Sequence, residues 1–178
     1  MLLGQSDLFA IEIGQADPQP QFHDVYIQFR FWIAKVPVGD CTEQISLSAS
    51  TKAASLFCDL QPQRRRTLFP SAPAATLFQQ VYEAWFSLKC FVGKSGTPDL
   101  RTLHHLDPIA MGATRDQYGV ILVASTDGTD RILAKDLNQN RFIADQTLPQ
   151  GSVETILSQF TAWAKIQLQP VTASVPSS

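Results

Sequence analysis

Apolar and polar positions alternate most regularly between residues 25 and 34. Val25, Ile27, Phe29, Phe31 and Ile33 fall on one side, and Tyr26, Gln28, Arg30 and Trp32 on the other. Successive side chains of an extended chain point to opposite faces, so this stretch predicts a half-buried strand. Phe9, Ile11 and Ile13 repeat the period over residues 8–13. Residues 14–22 hold Gly14, Pro18 and Pro20 and predict a loop. Residues 36–41 predict a short partner strand, with Pro37 at an edge or at its first position.

Further along, the apolar period lengthens. Ala53, Leu56, Phe57 and Leu60 share one face of a helix predicted over 48–60, with Ser50 as its N-cap and Pro62 beyond its end. A loop with Arg64, Arg65 and Arg66 follows. Leu77, Val81, Trp85 and Leu88 predict a helix over 74–91, stopped by Gly93 and Gly96. Residues up to about 117 read as loop. Residues 118–125 predict a buried strand, and Asp127-Gly128 a hairpin turn, because glycine accepts positive φ. Strands over 130–137 and 141–147 flank a turn at Asn138–Asn140, and Pro149 and Gly151 end the second of them. Ser152 is expected to cap a last helix over 153–168, whose apolar face is Val153, Ile156, Leu157, Phe160, Trp163 and Ala164. Strand–helix–strand alternation is not sustained, which argues against a doubly wound parallel sheet. The expected class is α+β: a mainly antiparallel sheet with about three helices packed on it. One domain is expected over 1–168, with a flexible tail at 169–178.

Composition narrows the function classes. Of 178 residues, 44% are hydrophobic and only 17% charged, and the net charge is −2. That balance argues against a basic nucleic-acid binder and against an acidic mimic of nucleic acid. Glutamine, at 17 residues, outnumbers the 14 Lys and Arg together, so much of the surface polarity is neutral amide. Met1–Ala10 has no basic start and carries Asp7, which does not fit a secretory signal. The longest clean apolar run, Val120–Ala124, is far short of the roughly 18 residues of a membrane helix. Cys41, Cys58 and Cys90 are odd in number and widely spaced, and read as buried thiols of a reducing compartment. These features point to a cytoplasmic protein with no membrane partner.

Candidate chemistry is sparse. Gly93-Lys94-Ser95-Gly96 resembles the end of a phosphate-binding loop, but Leu88 stands where that loop needs glycine, and a helix rather than a strand precedes it. His104-His105 has no further ligands at zinc spacing and reads as a loop or surface pair. No serine elbow or cysteine–histidine signature is present. No catalytic residue, metal site or cofactor is assigned. Asp127, Asp130 and Asp136 cluster near the hairpin, and turn chemistry accounts for the first two. Charge is uneven: residues 1–59 carry −4, residues 60–115 carry +4 and residues 116–178 carry −2. Arg64–Arg66 reads as a solvated loop or as pairing with acids of the sheet, not as a phosphate site.

Several motifs occur in a familiar order. Met1-Leu2-Leu3-Gly4 precedes Asp7-Leu8-Phe9-Ala10-Ile11-Glu12; then come Phe29-Arg30-Phe31-Trp32-Ile33 and Val38-Gly39-Asp40, a helix starting at Leu77-Phe78, and Leu148-Pro149-x-Gly151 leading to a helix with Trp163. This set resembles immunity protein family 42 of bacterial polymorphic toxin systems. The resemblance spans most of the chain, is strongest in residues 1–60, and does not extend to 89–117. Phe9, Trp32, Gly39 and Asp40 carry it and read as structural, Trp32 as core and Gly39 as a turn. The resemblance implies a protein that binds a cognate toxin domain and blocks it by occlusion, without catalysis. Asp40 and Glu43, in the acidic third after the edge strand, are the candidate toxin contacts, and the edge near 36–41 could pair with a toxin strand. The rival readings are a small-molecule-binding or enzymatic α+β domain with a site between sheet and helices, and a secretion-associated adaptor.

Overall fold

Nine strands and a set of helices are visible in the computed structural model, which describes residues 1–19, 24–69, 71–83, 104–110 and 112–169. In chain order the strands are β1 (Leu2–Gln5), β2 (Phe9–Gln19), β3 (Asp24–Ile33), β4 (Val36–Val38), β5 (Gln44–Ser46), β6 (Leu68–Phe69), β7 (Tyr118–Ser125), β8 (Thr129–Asp136) and β9 (Arg141–Pro149). The helices are α1 (Leu47–Asp59), α2 (Gln61–Arg64), α3 (Ala74–Phe78), α4 (Asp107–Ala110), α5 (Gly112–Gln117) and α6 (Ser152–Gln167). The class is α+β, and the strands divide into two sheets. The first has the order β1-β2-β3-β4, with β5 also paired to β3; the second has the order β6-β7-β8-β9. All pairings are antiparallel except β6 with β7.

The 25–34 alternation produces β3 as expected. Ile27, Phe29, Phe31 and Ile33 are buried on its inner face, beside Phe9, Ile11 and Ile13 of β2. Helices α1 and α6 pack together in this core through Leu47, Ala54 and Phe57 and through Val153, Leu157, Phe160 and Ala164. Val120 and Leu122 of β7 and Ile132 and Ala134 of β8 close the same core from the second sheet. The other face of the second sheet, with Ile121, Val123 and Leu133, is covered by Leu77, Phe78 and Val81. Strand β7 of the second sheet is therefore dry on both sides, while β9 keeps exposed positions such as Asp145 and Thr147, and the first sheet is dry on one side.

Several boundaries differ from expectation for physical reasons. The predicted loop at 14–22 is strand as far as Gln19, with a bulge between Ile13 and Ala16. Gln28 folds across that bulge: its Oε1 accepts the Gln15 N–H at 3.2 Å. A Cβ on Gly14 would lie 2.5 Å from the same oxygen, so glycine here makes room for the amide. Pro18 is tolerated because the pairing of β1 with β2 ends at Met1 and Ile13, which among the described residues leaves the end of β2 unpaired on that side. Helix α1 starts earlier than expected. Ser46, not Ser50, is its N-cap and accepts from Ala49 N, while Ser50 is buried inside the helix and Leu56, expected on the apolar face, is 49% exposed.

The expected helix over 74–91 is α3, continued by a wider π-helical turn at Gln79–Glu83; Trp85, Leu88, Cys90 and the Gly93–Gly96 segment lie outside the described residues, as do 170–178 of the expected tail. The stretch to 117, expected as loop, contains α4 and α5. Gly151 rather than Ser152 caps α6: it takes φ +82°, and its N–H donates to Asp130 Oδ2 at 2.8 Å, while Ser152 Oγ turns back to Pro149 O. The hairpin at Asp127-Gly128 forms as expected, with Gly128 at φ +82°.

Candidate functional site

The charged residues fall into two settings, and the contrast locates the surface available to a partner. The first is internal. Helix α2 begins with Gln61-Pro62, and its last residue, Arg64, turns inward and is 1% exposed. Arg64 Nη2 donates to Phe57 O at 3.2 Å and to Glu154 Oε1 at 2.8 Å, and the guanidinium sits 3.8 Å from the Phe57 ring centroid. Burial pulls this guanidinium below its ordinary pKa, against the opposing pull of Glu154. Arg65 makes a bidentate pair with Asp130 of β8. The solvated-loop reading therefore fails for Arg64, and the pairing with a sheet acid holds for Arg65. Asp130 is not a turn residue but a buried anchor for Arg65 and for Gly151 N. Turn chemistry holds for Asp127, which accepts from Thr129, and it also describes Asp136, for which it was not expected and which accepts from Gln139 N.

His104 and His105 are also internal, at 0% and 3% exposure, contrary to the expected loop or surface placement. His105 bridges to Ile121. His104 Nδ1 lies 2.9 Å from Leu122 O, and since a carbonyl only accepts, Nδ1 carries the proton. Burial lowers the His104 pKa to about 4, so the ring is neutral at pH 7. Its edge-on contact with Phe69, 5.4 Å between centroids, completes an apolar setting. Among the described residues no group of three or more His, Cys, Asp or Glu is placed to hold a metal ion. An open groove of about 640 Å³ runs beside α6, lined by Cys58, Gln61, Glu154 and Ser158 among others. Burial raises the Cys58 thiol above its ordinary pKa, which weakens it as a nucleophile.

The second setting is the outer face of the first sheet together with the loop after β4. Glu12 of β2 lies opposite Arg30 of β3. A single carboxylate oxygen, Glu12 Oε2, accepts from Arg30 Nε at 2.6 Å and from Trp32 Nε1 at 2.7 Å. The Arg30 guanidinium also stacks over the Trp32 ring at 4.9 Å. The hydrogen bond from Arg30 holds the Glu12 carboxyl below its usual pKa. Trp32, expected in the core, is half-buried on this outer face; alternation places Ile33 inside and Trp32 outside.

The loop brings both expected contact residues together with α5. Gly39 takes φ +108°, and a Cβ there would lie 2.8 Å from Thr114 Cγ2, so both the dihedral and the close approach require glycine. Asp40 N donates to Thr114 Oγ1 at 3.2 Å. The Asp40 carboxylate is exposed and accepts from Thr42 N and Thr42 Oγ1, bonds that lower its pKa. Glu43 is half-buried, and its Oε2 accepts from Thr114 N at 3.3 Å in the first turn of α5. Asp40 thus faces solvent, while Glu43 ties the loop to α5.

This arrangement carries the N-terminal motifs, from Met1 to Asp40, in one sheet and its adjoining loop, and the family model described as Immunity protein 42 matches residues 1–163. The chain belongs to the immunity protein 42 family. It is an immunity protein, whose function is to neutralise a toxin. The fold agrees with that of CdiI from Burkholderia dolosa AUO158: TM-score 0.60, with 92% of this chain and 99% of that chain covered at 14% identity. No curated protein matches the chain. The family match runs through 89–117, where the motifs showed no likeness. Of the residues that carried the resemblance, Phe9 is in the core, Gly39 makes the turn, and Trp32 and Asp40 lie at the surface.

Proposed function

We propose that this immunity protein binds one cognate toxin domain and occludes it without catalysis, inside the cell that produces the toxin. The observation that carries this reading is the family match over residues 1–163. No helix among the described residues is long and apolar enough to cross a membrane. Asp40 and Glu43 are the proposed toxin contacts. Asp40 offers a solvent-facing carboxylate whose hydrogen bonds from Thr42 keep it ionised, and Glu43 holds the loop against α5. The test is co-expression with the toxin domain encoded beside the gene, followed by isolation of the complex. The expected result is restored growth, a stable complex, and fully active, chemically unaltered toxin once the complex is unfolded and the toxin recovered. A toxin recovered in modified or cleaved form would refute occlusion, and failure to restore growth would refute the pairing.

A further inference from the structure

The outer face of the first sheet is a patterned surface rather than a merely solvated one. Its rows follow from the strand register: Asp17 lies opposite Tyr26, Glu12 opposite Arg30, and Trp32 opposite Pro37. Tyr26, Arg30 and Trp32 are all half-buried, with the Arg30 and Glu12 side chains 27% and 30% exposed. Tryptophan, tyrosine and arginine are the residues that dominate binding energy at protein interfaces. Trp32 is also held in place before any partner arrives, by the bond to Glu12 and the stack of Arg30. A side chain already fixed on a rigid sheet loses little rotamer freedom when it is covered.

The charges of this face have a sign. Arg30 is neutralised by Glu12. Asp17 and Asp40 have no cation at ion-pair distance among the described residues. The N-terminal ammonium, held on Ile13 O at 2.6 Å, also acts on Glu12. Two cations, Arg30 and Met1, therefore stand against three carboxylates, Glu12, Asp17 and Asp40, and the balance around the aromatic centre is −1.

We infer that this face, centred on Trp32 and rimmed by Asp17 and Asp40, receives the toxin domain, and that the toxin presents a basic patch to it. The inference rests on the immunity reading above and adds the surface and the partner's chemistry. Trp32 and Tyr26 supply the desolvated centre, Glu12 and Arg30 hold the centre rigid, and the two aspartates speed encounter with a cationic surface.

The experiment is calorimetric and stopped-flow titration of the full chain with the toxin domain encoded beside its gene. Trp32→Ala is expected to weaken binding by ~30-fold or more. The double exchange Asp17→Lys, Asp40→Lys is expected to slow association by ~10-fold or more and to remove most of its dependence on salt. Ile166→Ser, on the 65% exposed end of α6, serves as a control that keeps wild-type binding. If Trp32→Ala does not fold, the aspartate exchange decides alone, because both carboxylates lie outside the core. Folded variants that keep wild-type affinity and association rate would overturn the surface while leaving the immunity reading intact. A wild-type chain that binds no toxin domain would overturn both.

Discussion

The two sheets of this protein are built from similar strands and put to different uses. In β3 exposure alternates residue by residue, whereas in β7 six consecutive positions, Gly119 to Ala124, are buried. The first sheet therefore keeps one face in water, where a partner can reach it, and the second has both faces of its central strand β7 covered, with solvent reaching its margin at β9. The ion pairs do not follow the sheets: Arg131–Asp145 of the second sheet is open, with Asp145 41% exposed, and the buried pair, Arg64–Glu154, joins helices α2 and α6. Arg30–Glu12 and Arg64–Glu154 have nearly equal lengths, 2.6 and 2.8 Å, but the first pair is partly open to solvent and the second is almost wholly buried. Contact distance alone does not set the worth of a charge pair; the cost of removing its members from water does.

That division can be broken or sharpened by four measurements. The largest effect is expected from Glu154→Ala, which removes the carboxylate paired with the buried Arg64 guanidinium. The loss should be about 3–5 kcal/mol by urea denaturation, with the melting temperature down by roughly 10 °C. A loss below that of a surface pair would mean that Arg64 finds water or another acceptor. Next comes Leu133→Ala, which opens a cavity against Leu77 and Phe78 on the far face of the second sheet. About 2–5 kcal/mol is expected, and a near-neutral result would show that this face is not a true core.

The third measurement concerns acid. The folded His104 pKa is about 4, below its ordinary value of 6.5. Between those values the unfolded chain takes up a proton that the folded chain refuses. Stability therefore rises with pH through this window and is lost on acidification from about 6.5 to about 4, by roughly 3 kcal/mol. His104→Asn keeps a donor for Leu122 O and should flatten the slope of stability against pH there; an unchanged slope would assign the acid sensitivity elsewhere. The smallest effect is expected for Glu12→Ala on the open face, at about 0–1 kcal/mol in stability. If that substitution destabilised as strongly as Glu154→Ala, the contrast between the open and the buried pair would collapse.

The legible parts of the fold were those with local causes. The period of Ile27, Phe29 and Phe31, the apolar run of β7, and the Asp127-Gly128 turn each form where the pattern predicts. The misread parts depend on residues far away in the chain. Ser46 caps α1 beside Asp24, whose carboxylate also accepts from Ser48 N at 3.0 Å and Ser48 Oγ at 2.7 Å; no window around residue 46 contains that acid. Arg64 is buried because Glu154, ninety residues on, receives it. His104 is internal because the Leu122 carbonyl accepts the hydrogen bond from its Nδ1–H. At the candidate surface, Asp40 and Gly39 were readable from turn chemistry. The outward side of Trp32 was implicit in the strand alternation and was masked by the general preference of tryptophan for burial.

The edge-on contact between Phe29 and Phe160, 5.6 Å between ring centroids, has a bearing on synthesis of the chain. Strands β1 to β5 and helix α1 are complete by residue 59, but the ring that covers Phe29 lies about a hundred residues later. At ribosomal rates of about 5–20 residues per second, the apolar side of the first sheet waits roughly 5–20 seconds for α6. During that interval the nascent chain presents Phe29 and Phe31 without their final cover, which makes the half-made protein a natural client for chaperones.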